Sequence, residues 1–122
     1  MRENIIKDKS FEFAVRIVGL YKYLVENKKE YILSKQILRS GTSIGANIEE
    51  GVSGQSKKDF IAKLSISLKE AKETHYWLRL LCKCEYLEKN IFDSIIVDCD
   101  ELIIILTRIL KTSRNNLKIE IS

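Results

Sequence analysis

The sequence predicts an all-α protein that folds as an antiparallel, up-down four-helix bundle. Three observations support this prediction. Apolar residues recur at the spacing of an amphipathic helix through most of the chain, proline is absent, and the stretches that interrupt the pattern are short and polar. Because short connections make consecutive helices antiparallel neighbours, we expect the 122 residues to form one bundle domain.

The pattern places helices at about residues 9–27, 32–52, 57–84 and 91–113, followed by a polar tail over residues 114–122. Ser56 is a predicted N-cap of the third helix, with Asp59 at the third helical position. The fourth helix has acidic residues in its first half and basic residues at its end, an order that complements the helix dipole. The end of the tail alternates polar and apolar residues like a strand.

The most distinctive segment, residues 38–51, places small residues at helical spacing in the second helix. Small residues let a neighbouring backbone approach closely, so the segment predicts a specific helix–helix contact. Arg39 stands at its start, and we expect its guanidinium to pair with a carboxylate of an adjacent helix or subunit. The candidate partners are Glu50, Glu70 and Glu73. A contact with phosphate is the alternative interpretation of Arg39.

Two helices have more apolar surface than one core requires. The predicted core stripe of the third helix consists of Phe60, Leu64, Leu68, Ala71, His75, Leu78 and Cys82. Ile66, Trp77 and Leu80 fall on nearly the opposite side, and the apolar arc of the first helix covers roughly 220°. Surplus apolar area rimmed by charge is typical of an interface, so we expect a homo-oligomer. The candidate interface residues are Ile66, Trp77, Leu80, Glu70, Glu73 and Arg39; alternatively, Trp77 lies under a loop or the tail.

The chain offers no set of catalytic groups. His75 is the only histidine, so the chain has neither the paired Glu-x-x-His motifs of a di-iron bundle nor an imidazole on the predicted surface. Its place on the core stripe favours a hydrogen-bonded core or boundary histidine. Cys82, Cys84 and Cys99 lack the C-x-x-C spacing of redox and zinc sites, which favours buried or idle thiols. We expect no enzymatic activity, no cofactor and no metal.

The net charge of +4 is mild, and the basic residues are clustered. The candidate nucleic-acid contacts are Lys28, Lys29, Lys35, Lys57, Lys58 and Lys63. Lys28 and Lys29 lie at the opposite end of an antiparallel bundle from Lys57 and Lys58, and solvation of the surface is the alternative role of all six lysines. The longest aliphatic run, residues 102–106, is far shorter than the roughly 20 residues of a membrane span, and no signal peptide is recognisable. We expect a cytoplasmic protein without membrane contact.

Three ordered stretches carry a resemblance. They read QILRSGTSIGANIEE at residues 36–50, SKKDFIAKLSI at residues 56–66, and LKEAKET with YWL over residues 68–78, while FAVRIV fits the first helix. Together they resemble the four-helix bundle proteins encoded in intervening sequences of 23S ribosomal RNA genes. The resemblance covers roughly residues 5–113, and Gly51 and Ser67 stand where the family pattern favours alanine.

The resemblance implies a ring-like homopentamer without enzymatic activity or cofactor. It also implies kinship with the accessory protein of diversity-generating retroelements, which binds nucleic acid beside a reverse transcriptase. The implied partners are therefore further copies of the chain, RNA or DNA, and a reverse transcriptase or another protein. Our leading hypothesis is a non-enzymatic, oligomeric protein that binds nucleic acid, with RNA as the preferred ligand. The alternative is a protein-interaction scaffold with no nucleic-acid role.

Overall fold

The computed structural model describes residues 2–121, with the side chains of residues 4–121. This part of the chain forms four α-helices and no strand: α1 (Arg2–Glu26), α2 (Leu33–Val52), α3 (Lys57–Lys83) and α4 (Lys89–Ile121). Each helix packs against the next one in sequence, and α1 also packs against α4. Helices α1 and α3 lie diagonally across the bundle from each other. The prediction of an all-α fold with four helices is confirmed.

The first helix is longer than predicted. It begins at Arg2 instead of near residue 9. Ile6 extends the apolar face that Phe13 and Ile17 continue, and its side chain is fully buried. Burial of Ile6 therefore extends the helix beyond the predicted start.

The fourth helix is also longer than predicted, and the separate polar tail is wrong for residues 114–121. The helix continues to Ile121 because neither glycine nor proline interrupts it. Near its end, the carboxylate of Glu120 pairs with the ammonium group of Lys57, the first residue of α3. Residues 1 and 122, which the predicted domain includes, lie outside the described part of the chain. Within that part, no helix combines the length and the apolar character that crossing a membrane requires.

Local polar contacts define where α2 and α3 begin. The hydroxyl of Ser56 accepts a hydrogen bond from the backbone N–H of Asp59 at 3.1 Å, which confirms the predicted N-cap. At α2, the carboxylate of Glu30 accepts the backbone N–H groups of Ser34 at 2.7 Å and of Ile32 at 3.3 Å. These N–H groups have no partner inside the helix, and an acidic group there also complements the helix dipole.

Residues 38–51 bring α2 close to both of its neighbours, as predicted. Towards α1, a Cβ atom added to Gly41 would lie 2.8 Å from the side chain of Ile17. A Cβ atom on Gly45 would lie 3.3 Å from the backbone oxygen of Ser10. Towards α3, the buried hydroxyl of Ser67 donates to a backbone carbonyl oxygen of α2 at 2.8 Å. Larger side chains at these positions would force the helices apart.

The core face of α3 is rotated away from the predicted stripe. The buried residues of α3 are Leu64, Ser67, Ala71, Thr74, Leu78 and Leu81. Phe60, Leu68 and Cys82, which were predicted in the core, are only half-buried. His75 is at the edge, with Nε2 at 3.0 Å from Oδ1 of Asp100 and 29% of its side chain exposed. The prediction weighted apolar residues and therefore missed Ser67 and Thr74, whose small hydroxyl side chains face α2.

The three cysteines form no disulfide. Cys99 is buried, and its thiol lies 3.4 Å from the backbone oxygen of Ala71. Burial raises the pKa of the Cys99 thiol to about 12, and the nearby aspartates add to this effect. The thiol therefore stays protonated and acts as a small core group. Cys84, by contrast, is exposed.

Candidate nucleic-acid interface

The outer face of α3 carries five lysine and arginine side chains in a line along almost the whole length of the helix. Their spacings of eleven, three, seven and four residues place them on one side of an α-helix. All five are exposed. At a rise of about 1.5 Å per residue, the line is about 37 Å long. We call this set the cationic stripe, and its members are Lys58, Lys69, Lys72, Arg79 and Lys83.

No described carboxylate lies within ion-pair distance of the cationic stripe. Among the side chains of residues 4–121, no ion pair includes a member of the stripe. The carboxylates of Glu70 and Glu73 lie on the side of α3 that faces α2, where both pair with Arg39. On the α4 side, the carboxylate of Asp100 contacts His75. The stripe therefore presents positive charge directly to solvent.

Helix α4 supplies a further cation in the longest interval of the stripe. Arg114 donates from Nη2 to the hydroxyl of Ser65 at 2.8 Å, and Ser65 lies between the first two members of the stripe. Next to this contact, a cleft of about 470 Å³ lies between Ile61 of α3 and the last turns of α4. Lys111 and Lys118 line the cleft together with Arg114. The positive surface thus widens where α3 meets α4.

Sequence comparison identifies the family. A sequence model described as 23S rRNA-intervening sequence protein matches residues 2–108. The chain belongs to this family. The match includes all of α3, and therefore every member of the cationic stripe, whereas Arg114 lies beyond it. The family resemblance of the helix motifs is confirmed.

A solved structure supports the same fold. A protein of unknown function from the S23 ribosomal protein family of Bacteroides thetaiotaomicron is 58% identical in sequence and superposes with a TM-score of 0.89. The alignment covers 91% of this chain and 99% of that chain. No curated protein matches the chain. The chain therefore shares both the family and the four-helix fold of these proteins.

Three of the predicted nucleic-acid contacts lie around the α1–α2 connection. Lys29 donates to the backbone oxygen of Glu26 at 2.8 Å, and the ammonium group of Lys28 lies 5.9 Å from the ring centroid of Tyr23. Lys35 is exposed on the first turns of α2. The carboxylates of Glu26 and Glu30 belong to the same region. This cluster is therefore of mixed charge, unlike the face of α3.

The other three predicted contacts lie at the opposite end of the bundle, and carboxylates hold two of them. Lys57 pairs with Glu120, and Lys63 pairs with Glu50 at 2.9 Å. The hydrogen bond and the charge of Glu50 raise the pKa of Lys63. Lys58 alone belongs to the cationic stripe. The structure thus separates the six predicted lysines into two groups and gathers a different set of cations on one face.

Arg39 forms the predicted ion pair, and it does so within one chain. Its Nη1 atom donates to Glu70 at 2.8 Å, and Nη2 donates to Glu73. Desolvation lowers the pKa of Arg39, but the hydrogen bonds and charges of Glu70 and Glu73 together outweigh this effect and raise the pKa above its ordinary value. The third candidate partner, Glu50, pairs with Lys63 instead. The ion pair therefore joins α2 to α3.

The predicted interface residues of α3 differ in exposure. Trp77 is half-buried and packs against the core, and its Nε1 atom donates to Glu73 at 3.2 Å. The single chain therefore already covers part of the tryptophan, although its predicted position is opposite the core stripe of α3. Leu80 is half-buried as well. Ile66 is 43% exposed and is the most open of the three apolar residues.

Helix α1 exposes more apolar residues than α3 does. Phe11, Val15 and Val18 are 65%, 59% and 36% exposed, and their spacing places them on one side of the helix. We call these three residues the apolar stripe. Since the core residues Phe13 and Ile17 occupy the opposite side, α1 is apolar on both faces, as its sequence indicates. An apolar face of this kind is typical of an interaction surface.

Proposed function

We propose that the chain is a non-enzymatic, homo-oligomeric RNA-binding protein of the cytoplasm, and that RNA contacts the cationic stripe of α3. The single observation that carries the proposal is a line of five exposed cations, none of which is in an ion pair among the described side chains. Phosphate groups are the natural partners of such a line, because each neutralised phosphate releases condensed counterions.

The electrostatics favour an extended anionic polymer over a small anion. The stripe is about 37 Å long at about 1.5 Å per residue, so one small ligand contacts only a fraction of it. Lysine and arginine contacts to phosphate position a nucleic acid without reading its sequence. We therefore expect affinity that depends steeply on salt and little on base sequence.

Self-association fits this role. The apolar stripe of α1 lies across the bundle from α3, because α1 and α3 are diagonal neighbours. A two-fold contact between the apolar stripes of two copies would therefore leave the cationic stripe open, whereas in a ring the apolar stripe would meet a different face of the next copy. In a ring-like homopentamer, the assembly that the family resemblance implies, five chains of net charge +4 would carry about +20. Several stripes on one assembly would raise the apparent affinity for a long RNA.

Two double variants, each of which removes two positive charges, test whether RNA contacts the cationic stripe. We would compare the wild type with Lys69→Gln/Lys72→Gln on the stripe and with the matched control Lys28→Gln/Lys29→Gln, which loses the same charge elsewhere. Filter binding to a structured RNA over a salt series gives affinity and salt slope. The stripe variant should lower the affinity at least about tenfold and make the slope shallower by about 1.4–1.8, while the control changes both only slightly. Equal losses in the two variants would contradict the assignment to α3.

A protein-interaction scaffold is the second candidate function, and the apolar stripe is the observation that favours it. If the wild-type protein binds no RNA at low salt, the scaffold is the better account and the RNA proposal fails. Sedimentation separates the role of α1: Phe11→Glu/Val15→Glu should lower the mass towards the 14.2 kDa of one chain. Val97→Glu is the control, because Val97 is 61% exposed on α4 and lies outside the apolar stripe. A wild-type protein that sediments as a monomer would overturn the oligomer.

A further inference from the structure

One aromatic side chain lies within the cationic stripe. Tyr76 is 50% exposed and is four residues from Lys72 and three residues from Arg79 along α3. These spacings place it on the same side of the helix as the two cations. The phenol ring of Tyr76 therefore lies between two cations of the stripe, on a surface that otherwise offers charge.

Two neighbours hold the ring of Tyr76. The rings of Tyr76 and Trp77 form a T-shaped pair, with centroids 5.2 Å apart and an interplanar angle of 74°. The guanidinium carbon of Arg79 lies 5.8 Å from the ring centroid of Tyr76. Both contacts are weakly attractive and restrict the ring before any ligand binds. A restricted ring loses less conformational freedom when a ligand stacks on it.

We propose that Tyr76 stacks on an unpaired RNA base while the flanking members of the cationic stripe hold the phosphates on either side. The inference rests on the proposed RNA-binding function and specifies its ligand as a single-stranded segment, such as a loop or an unpaired end. Cations combined with an exposed aromatic ring are how proteins bind single strands, since every base has a face that can stack. In a duplex the bases are stacked on each other, and the ring would find only backbone.

The chain provides a matched control for this test. Tyr31 is 52% exposed, nearly the same as Tyr76, but it lies in the α1–α2 connection and away from the stripe. We would measure the affinities of Tyr76→Ala, Tyr76→Phe and Tyr31→Ala for a labelled, unstructured 12-nucleotide RNA and for a blunt duplex of the same sequence. Tyr76→Ala should weaken binding of the single strand about tenfold, as expected for the loss of one stacked base. Tyr76→Phe and Tyr31→Ala should retain wild-type affinity.

Two readouts separate stacking from a loss of charge or of fold. Affinity for the duplex and the salt slope should stay unchanged in Tyr76→Ala, because no phosphate contact is removed. The fluorescence of Trp77, the only tryptophan of the chain, should be quenched by the single strand in the wild type and less in Tyr76→Ala.

The outcomes distinguish this inference from the proposal beneath it. Equal weakening on both RNAs, or no weakening on the single strand, would overturn the stacking role. If Lys69→Gln/Lys72→Gln reduces RNA binding while Tyr76→Ala does not, only the role of Tyr76 fails. If the wild-type protein binds neither RNA at low salt, the RNA-binding function fails and the inference fails with it.

Discussion

Replacing Gly41 with alanine tests whether α1 and α2 pack as closely as the structure shows. The added Cβ atom would lie 2.8 Å from both Cγ1 and Cγ2 of Ile17, a fully buried residue. Both carbons are bonded directly to the Cβ atom of a β-branched side chain, which has one strongly preferred rotamer in a helix. They cannot rotate away, so the two helices must separate slightly. Overpacking costs about 1–3 kcal/mol, and the better helix propensity of alanine offsets about 0.5–1 kcal/mol of it. We expect a net loss of about 1 kcal/mol in the free energy of unfolding.

Gly19→Ala is the matched control. Apart from the chain neighbours of Gly19 and the backbone of its own helical turns, no described atom lies within 4 Å of a Cβ atom at this position, so alanine should increase stability by about 0.5–1 kcal/mol. Urea unfolding followed by circular dichroism measures both variants, at one protomer concentration because the apparent stability of an oligomer depends on it. If Gly41→Ala were as stable as Gly19→Ala, the close packing of α1 on α2 would be refuted.

Three further predictions concern α2, α3 and the core. Arg39→Ala should lower the free energy of unfolding by about 1 kcal/mol, because it leaves two partly buried carboxylates of α3 without their partner. Chemical denaturation measures this loss, and an unchanged midpoint would contradict the prediction. Ser67→Ala removes a buried hydrogen bond of 2.8 Å and should cost about 1 kcal/mol, less the small gain in helix propensity; a loss above 3 kcal/mol would mean that the hydroxyl has another role. At pH 8, iodoacetamide should label exposed Cys84 and leave Cys99 unlabelled, since a pKa of about 12 keeps the Cys99 thiol protonated until the pH approaches that value. Mass spectrometry of the folded protein measures the labelling, and rapid labelling of Cys99 would contradict the prediction.

Local signals predicted the helices well. Ser56 and Asp59 form the predicted N-cap because both residues lie within one helical turn. The small residues of α2 face close neighbours because a small side chain is the main requirement for close approach of two helix backbones. The end of α4 differs from its prediction because a short alternating stretch fits a strand as well as an exposed helix. Contacts distant in sequence, such as the pair between Glu120 and Lys57, were not predictable from that stretch.

The candidate site shows a different limit. The six predicted lysines are clustered along the sequence, as Lys28 and Lys29 are, whereas a helix gathers residues three, four and seven positions apart. The same period that defined the core of α3 also carries the cationic stripe, so this signal was present in the sequence. Which of these cations remain unpaired depends on neighbouring helices, for example on Glu50 contacting Lys63. That information exists only after the helices are assembled.

Lysine footprinting tests most directly whether RNA contacts α3. Acetylation of the wild-type protein, with and without a saturating single-stranded RNA, is quantified by mass spectrometry for each lysine. The proposal predicts strong protection at four lysines of the cationic stripe and unchanged reactivity in the mixed-charge cluster around the α1–α2 connection. The protected residues would be Lys58, Lys69, Lys72 and Lys83, and the unchanged residues would be Lys28, Lys29 and Lys35. Protection of the second group without the first would contradict the account.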